Sequence, residues 1–239
     1  MLAPAIRTIF VLLYLALALV FVMPWFILWG VLMNSPDPMF RAAMRAIRIG
    51  NRMAGVRVRV EGRENIPVGV CIFAANHAST LDPCVFFPEI PRRVSALVKK
   101  ELFRVPIFSA GMRLSQFVSV DRADREAAAA AVNSAAALLK TGLSFAIFPE
   151  GTRSPDGRLQ PFKKGAFVMA IEAGVPVVPV AIAGTYRCML RGAWVIRPGN
   201  VTVRFGPAVG AAEYTLDRRA ELLARVQSLV AAALPPDQL

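Results

Sequence analysis

The run IFVLLYLALALVFVMPWFILWGVLM, Ile9 to Met33, holds 25 residues without a single charge. As a helix it would extend roughly 37 Å, more than the roughly 30 Å hydrocarbon core of a bilayer. Hydrophobic residues make up 56% of the chain, above the usual share for a soluble domain, so part of this surplus is expected to face lipid. Only Arg7 carries charge ahead of the run and no small-residue cleavage site follows it, so a retained anchor is expected and not a cleaved signal peptide. Pro24 sits two-thirds of the way along, Gly30 follows, and Trp25 and Trp29 are interfacial residue types. The segment therefore either spans, or breaks at Pro24 into two helices that dip in and return.

A basic stretch comes next, with Arg41, Arg45, Arg48, Arg52, Arg57, Arg59 and Arg63. Phe40, Ala43, Met44, Ile47 and Met53 recur near helical spacing as far as Gly55, which describes an amphipathic helix. Placed against an apolar segment, it is expected to lie on anionic membrane lipids, on the cytoplasmic side by the positive-inside rule. A solvated basic helix touching no lipid is the competing reading. The net charge of +12 would also suit nucleic acid, but no recognised binding motif or stacking platform appears. Cys71, Cys84 and Cys188 lack metal-ligand spacing, so no metal site or disulfide framework is expected.

From Val56 onward the pattern changes to strands alternating with helices. VRVRVEG alternates with period two, Val70 to Ala74 is a short apolar run entering polar residues, and VSALVKK, FVSVDR, Leu143 to Phe148, VPVVPVAIAG and NVTVRFG read as further strands. Between them lie a helix from Ala123 to Lys140 stopped by Gly142, a short one closed by Gly174, and a terminal helix from Leu216 to Leu234 ended by Pro235 and Pro236. The expected fold is α/β, a layered mixed sheet flanked by helices, with an N-terminal hydrophobic helical membrane segment. Residues 1–55 would form the anchoring part and residues 56–239 the α/β domain.

Ligands in such sheets gather beyond the carboxyl ends of strands, and three loops there carry chemistry-bearing residues. In NHASTLD, His77 is the only histidine of the chain, and Asp82 stands five positions later. Such a pair can make a general base whose tautomer the carboxylate fixes. Read alone, the spacing favours a turn capped by Asn76 and Asp82. In FPEGTRS, Glu150, Gly151, Thr152 and Arg153 combine backbone freedom, a hydroxyl and a guanidinium fork suited to an oxyanion or phosphate, though the following SPDG is strong turn chemistry. In LVKKELFRVPIFSAGM, Lys99, Lys100 and Arg104 lie near a strand end, where a lysine pair usually means a solvated face.

Taken together and in order, NHASTLD, KKELFRVPIFSAGM with FVSVDR, FPEGTRS and VPVVPVAI resemble the four blocks of the glycerophospholipid acyltransferase family. The sequence is similar to the bacterial 1-acyl-sn-glycerol-3-phosphate acyltransferases within it. The resemblance runs from about Asn65 to Ala183. It implies that His77 is the general base acting on the free hydroxyl of lysophosphatidic acid, with Asp82 orienting it. It also implies that Arg153, Lys99, Gly151 and Thr152 bind the acceptor phosphate, supported by Asn76 and by Glu150, which would fix Arg153 or a backbone turn. Transfer from an acyl-CoA or acyl carrier protein thioester would be direct, without an acyl-enzyme, a metal or a bound cofactor, at the cytoplasmic face of a bacterial inner membrane. The same loops would also serve another lysolipid acceptor, such as a lysophospholipid with a headgroup or a lyso-ornithine lipid. A thioesterase and a non-catalytic scaffold are the remaining readings.

Overall fold

The computed structural model describes residues 2–121 and 123–239. Helix α1 (Leu2–Leu17), one π turn (Ala18–Val22) and α2 (Met23–Leu32) run on as a single helix of 31 residues, long and apolar enough to cross a membrane. The break considered at Pro24 does not occur. A proline inside an α-helix lacks an N–H and its ring meets the carbonyl four residues back, and the wider π turn falls where that carbonyl, of Val20, lies.

Helix α3 (Asp37–Met53) turns back antiparallel, with Gly50 seated against Val11 and Leu15. The long helix is fastened near both ends. Thr8 is fully buried, and its hydroxyl donates to the Pro4 carbonyl at 2.8 Å while accepting from the Ile196 amide at 2.9 Å. At the far end a Cβ on Gly30 would lie 2.9 Å from the Leu114 side chain, so this position packs directly on the domain. Phe10, Phe21, Trp25 and Trp29 on the outer side stay exposed.

The domain continues through β1 (Val56–Glu61), β2 (Ile72–Ala75), α4 (Asp82–Phe86), β3 (Val94–Ser95), β4 (Leu97–Lys99), α5 (Pro106–Leu114), β5 (Val118–Val120) and α6 (Arg125–Lys140). It ends with β6 (Ser144–Ile147), α7 (Gly165–Ala173), β7 (Val177–Ala183), α8 (Thr185–Cys188), β8 (Gly199–Phe205) and α9 (Arg219–Ala233). Six strands form one mixed sheet in the order β1-β8-β7-β2-β6-β3, parallel throughout except between β7 and β8, while β4 and β5 pair separately. VSALVKK, read as one strand, is thus two: Ala96 separates β3 in the main sheet from β4 in the small one. Helices α4 and α5 fall in stretches read as loop. Both begin with proline at N1 or N2, which is favourable at a helix start even where the apolar spacing is too short to show a period.

Both faces of the sheet are covered, as the apolar strands required. Along β2, Phe73 and Ala75 point into a core with Val85, Phe86 and Phe205, whereas Ile72 and Ala74 point the other way among residues of α6, α7 and α9. The parallel pairing of β2 and β6 brings their carboxyl ends side by side.

Substituting Thr8→Val keeps the side-chain shape but leaves the buried Ile196 N–H without an acceptor. A loss of roughly 1–3 kcal/mol is expected in chemical unfolding of the detergent-solubilised protein. An unchanged midpoint would mean the helix is not fastened at this point.

Candidate active site

Strands β2 and β6 pair in parallel with a fixed offset, Ile72 beside Phe145 and Ala74 beside Ile147. The same offset of 73 residues persists beyond the strands. The His77 amide donates to Glu150 Oε1 at 2.8 Å, and the Arg153 guanidinium donates to the Thr80 hydroxyl. The Ser154 amide adds a bond to the His77 carbonyl at 2.7 Å. Two loops that are distant in sequence are therefore laced into one surface.

His77 Nδ1 lies 2.8 Å from Asp82 Oδ2, and the Ser79 amide donates to the same oxygen at 2.7 Å. An ionised carboxylate has no proton to give, so Nδ1 carries the ring hydrogen and Nε2 keeps its lone pair. Among the described residues Nε2 has no hydrogen-bond partner, and the ring retains some exposure while Asp82 is fully buried. Phe148 stacks on the imidazole at 4.2 Å between centroids and backs it with an aromatic wall that includes Phe86 and Phe87. Asp82 Oδ1 is buried and, among the described residues, unpartnered.

The supporting polar groups are committed to backbone. Asn76 donates to the Ile182 carbonyl at 2.9 Å and accepts from the Ile182 amide at 2.7 Å, so its side chain continues the ladder with β7 past the end of β2. Ser79 donates to the Met189 carbonyl at 2.7 Å and accepts from the Leu81 amide, which makes it a clasp and not a poised nucleophile. Burial pushes the Cys71 and Cys84 thiols up to about 11, so neither offers a thiolate near neutrality.

Glu150 is almost fully buried and forms no ion pair or hydrogen bond with Arg153. Besides the His77 amide it accepts from Gln160 Nε2 at 2.9 Å, and Gln160 reaches on to the Thr152 carbonyl at 3.3 Å. Of the two roles the sequence allowed it, fixing a backbone turn is the one its contacts match. Burial, with a smaller push from the Asp82 charge, outweighs the pull of the donors from His77 and Gln160 and raises its carboxyl to about 7.

Gly151 adopts φ +76°, and a Cβ there would lie 2.9 Å from Lys163 Nζ, so this lysine lies across the loop. Thr152 is exposed, and the Arg191 guanidinium donates to the Arg153 carbonyl at 3.2 Å. Among the described residues, no hydrogen bond or ion pair joins Lys99 to either loop. It ends β4 in the small sheet, with Nζ 3.3 Å from Glu101 Oε1. Phe148, Gln160, Lys163 and Arg191 were not singled out from the sequence. FPEGTRSPDGRLQPFKK holds three of them, but only the fold shows that they converge.

Residues 57–183 match the family described as Acyltransferase, more than half of the chain. The chain belongs to that acyltransferase family. A 1-acyl-sn-glycerol-3-phosphate acyltransferase from Pseudomonas aeruginosa is 34% identical over 196 residues, covering 77% of this chain and 75% of its own. One from Limnanthes alba is 29% identical over 224 residues, covering 88% and 78%. The crystal structure of the 1-acyl-sn-glycerophosphate (LPA) acyltransferase PlsC from Thermotoga maritima matches with a TM-score of 0.84 at 29% identity, over 97% of this chain and 95% of that one. The similarity thus includes the long N-terminal helix as well as the α/β domain of this acyltransferase.

A carboxyl raised in the folded state is protonated there when its unfolded counterpart, near 4.5, has already ionised. Its contribution to stability is therefore full below about pH 4.5 and is lost as pH rises towards about 7. Glu150→Gln should remove that decline. The difference in Tm between wild type and variant, followed across this window, checks it; parallel curves would contradict the assignment.

Proposed function

We propose that this enzyme transfers a fatty acyl group from a thioester to the free sn-2 hydroxyl of lysophosphatidic acid, giving phosphatidic acid, with His77 as general base. The observation that carries the reading is the imidazole held by the buried Asp82 through Nδ1, with Nε2 open on a surface level with Arg153.

The acceptor hydroxyl gives its proton to Nε2 as its oxygen attacks the thioester carbonyl, and the C–S bond breaks as the tetrahedral centre collapses. The imidazolium then returns the proton to the departing thiolate. Asp82 holds the ring and supplies the negative charge that stabilises it while protonated. No acyl-enzyme is needed, consistent with Ser79 being bonded to the Met189 carbonyl and with the raised thiols of Cys71, Cys84 and Cys188.

Arg153 presents a fork for the acceptor phosphate, and the left-handed backbone of Gly151 lets the loop approach it closely. Thr152 supplies a hydroxyl, and Lys99 adds a point charge once it leaves Glu101. The donor is an acyl thioester of coenzyme A or acyl carrier protein, and the reaction itself requires no further cofactor.

The protein works at the cytoplasmic face of a bacterial inner membrane. Its long helix lies along the domain with its exposed aromatic side in lipid, rather than crossing as a free span. The fastening at Thr8 and at Gly30 supports this placement.

His77→Ala should lower kcat on the order of 10² to 10⁴ with membrane binding retained. Unchanged turnover would remove His77 from the chemistry. Arg153→Ala should chiefly raise the acceptor KM for lysophosphatidic acid while sparing an acceptor without a phosphate monoester. Both are read in an assay offering each thioester donor and a panel of lysolipids, and faster acylation of another lysolipid by wild type would overturn the acceptor.

A further inference from the structure

A second basic site lies away from His77. The start of β1, the start of β8, the end of α3 and the first turns of α1 enclose an open cleft of about 510 Å³. Arg7, Arg52 and Arg57 line it together with Gly55 and Asn200. The Arg7 guanidinium lies over Gly55, where a Cβ would stand 2.8 Å from Nη1 and where φ is +76°. No residue of the His77 or Glu150 loops takes part in the lining.

Several arginines nearby are neutralised in pairs. Arg48 and Arg63 pair with Glu89, Arg59 and Arg204 with Glu61, and Arg93 with Asp37. Among the described residues, Arg7, Arg52 and Arg57 have no carboxylate partner. Three arginines lining one concave site place like charges near one another and favour an anion that takes several N–H donors at once.

The adjoining cleft gives the shape of the rest of the ligand. It measures about 480 Å³, shares Arg7 and Met53 with the basic one, and is otherwise lined by Ala3, Ile6 and Phe10. Ile6, Phe10 and Met53 are all exposed. An anion site opening into an exposed apolar groove matches an amphiphile with a charged head.

Its position suits the membrane. Ala183 pairs with Thr202 and Val58 with Val201, so the starts of β8 and β1 are at the same end of the sheet as the carboxyl end of β2 that carries His77. Three strand spacings, about 14 Å, separate the two places across the sheet.

We propose that Arg7, Arg52 and Arg57 bind the headgroup phosphate of an anionic membrane phospholipid, whose acyl chains lie along Ile6, Phe10 and Met53. The site is distinct from the acceptor site at Arg153, and it rests on the membrane association proposed above. A resident lipid held here would set which end of the sheet meets the bilayer.

The test uses the full chain and two kinds of phosphatidylcholine vesicle matched in surface potential, one charged by phosphatidylglycerol and the other by oleate. Wild type should bind the phosphatidylglycerol vesicles about tenfold more tightly, because the phosphate of phosphatidylcholine is paired with its own choline in both kinds and potential alone would act equally on both. The double variant Arg52→Gln/Arg57→Gln should lose this preference while still acylating a detergent-dispersed acceptor, which shows that it is folded. Arg41→Gln/Arg45→Gln, on the same helix but outside the cleft, should weaken binding to both vesicles and leave the ratio unchanged. The site is overturned if wild type shows no preference, if the cleft variant keeps it, or if the Arg41 and Arg45 variant also loses it. Abolition of the preference by a few millimolar inorganic phosphate at constant ionic strength would identify a free-phosphate site instead. Wild type that ignores both vesicles would overturn the membrane reading itself.

Discussion

The bond from the His77 amide to the buried Glu150 carboxylate is the contact on which the site depends. It extends the β2–β6 register by one more rung, after the backbone ladder has ended, and it makes two loops one object. With the Ser154 amide on the His77 carbonyl and Arg153 on the Thr80 hydroxyl, it holds the two loops in one register. The sheet thus sets the geometry of the chemistry through residue offset.

That rung is costly in itself, since a carboxyl at 3% exposure is poorly solvated and its ionisation is opposed by Asp82 nearby. Two N–H donors offset part of the penalty, one from the His77 backbone and one from Gln160. Asn76 does similar work on the other flank by bonding both polar groups of Ile182. Buried side chains acting as substitute backbone explain why the loop can leave the sheet without leaving amides unsatisfied.

Much of this could be read from residues alone. His77, Asp82 and the Glu150 to Arg153 block stand in contiguous motifs, and the α/β alternation follows from short apolar runs between helical periods. What escaped reading depends on tertiary contact. The partition of VSALVKK between two sheets turns on Ala96, an apolar residue that carries no mark of a strand break. The continuity of the long helix through Pro24 rests on a π turn, a local adjustment invisible to periodicity. That Lys99 ends a strand of the small sheet beside Glu101 likewise follows from the partition of VSALVKK and not from its own spacing. Gln160 is ten residues from Glu150, too far for any short motif to connect them.

The long helix contacts the domain near Thr8 and again near Gly30, more than twenty residues later. A segment attached at one end would act as a leash, allowing the enzyme to tumble and present its mouth to lipid only part of the time. Fastened near both ends, it is a keel: its angle to the domain is decided when the chain folds.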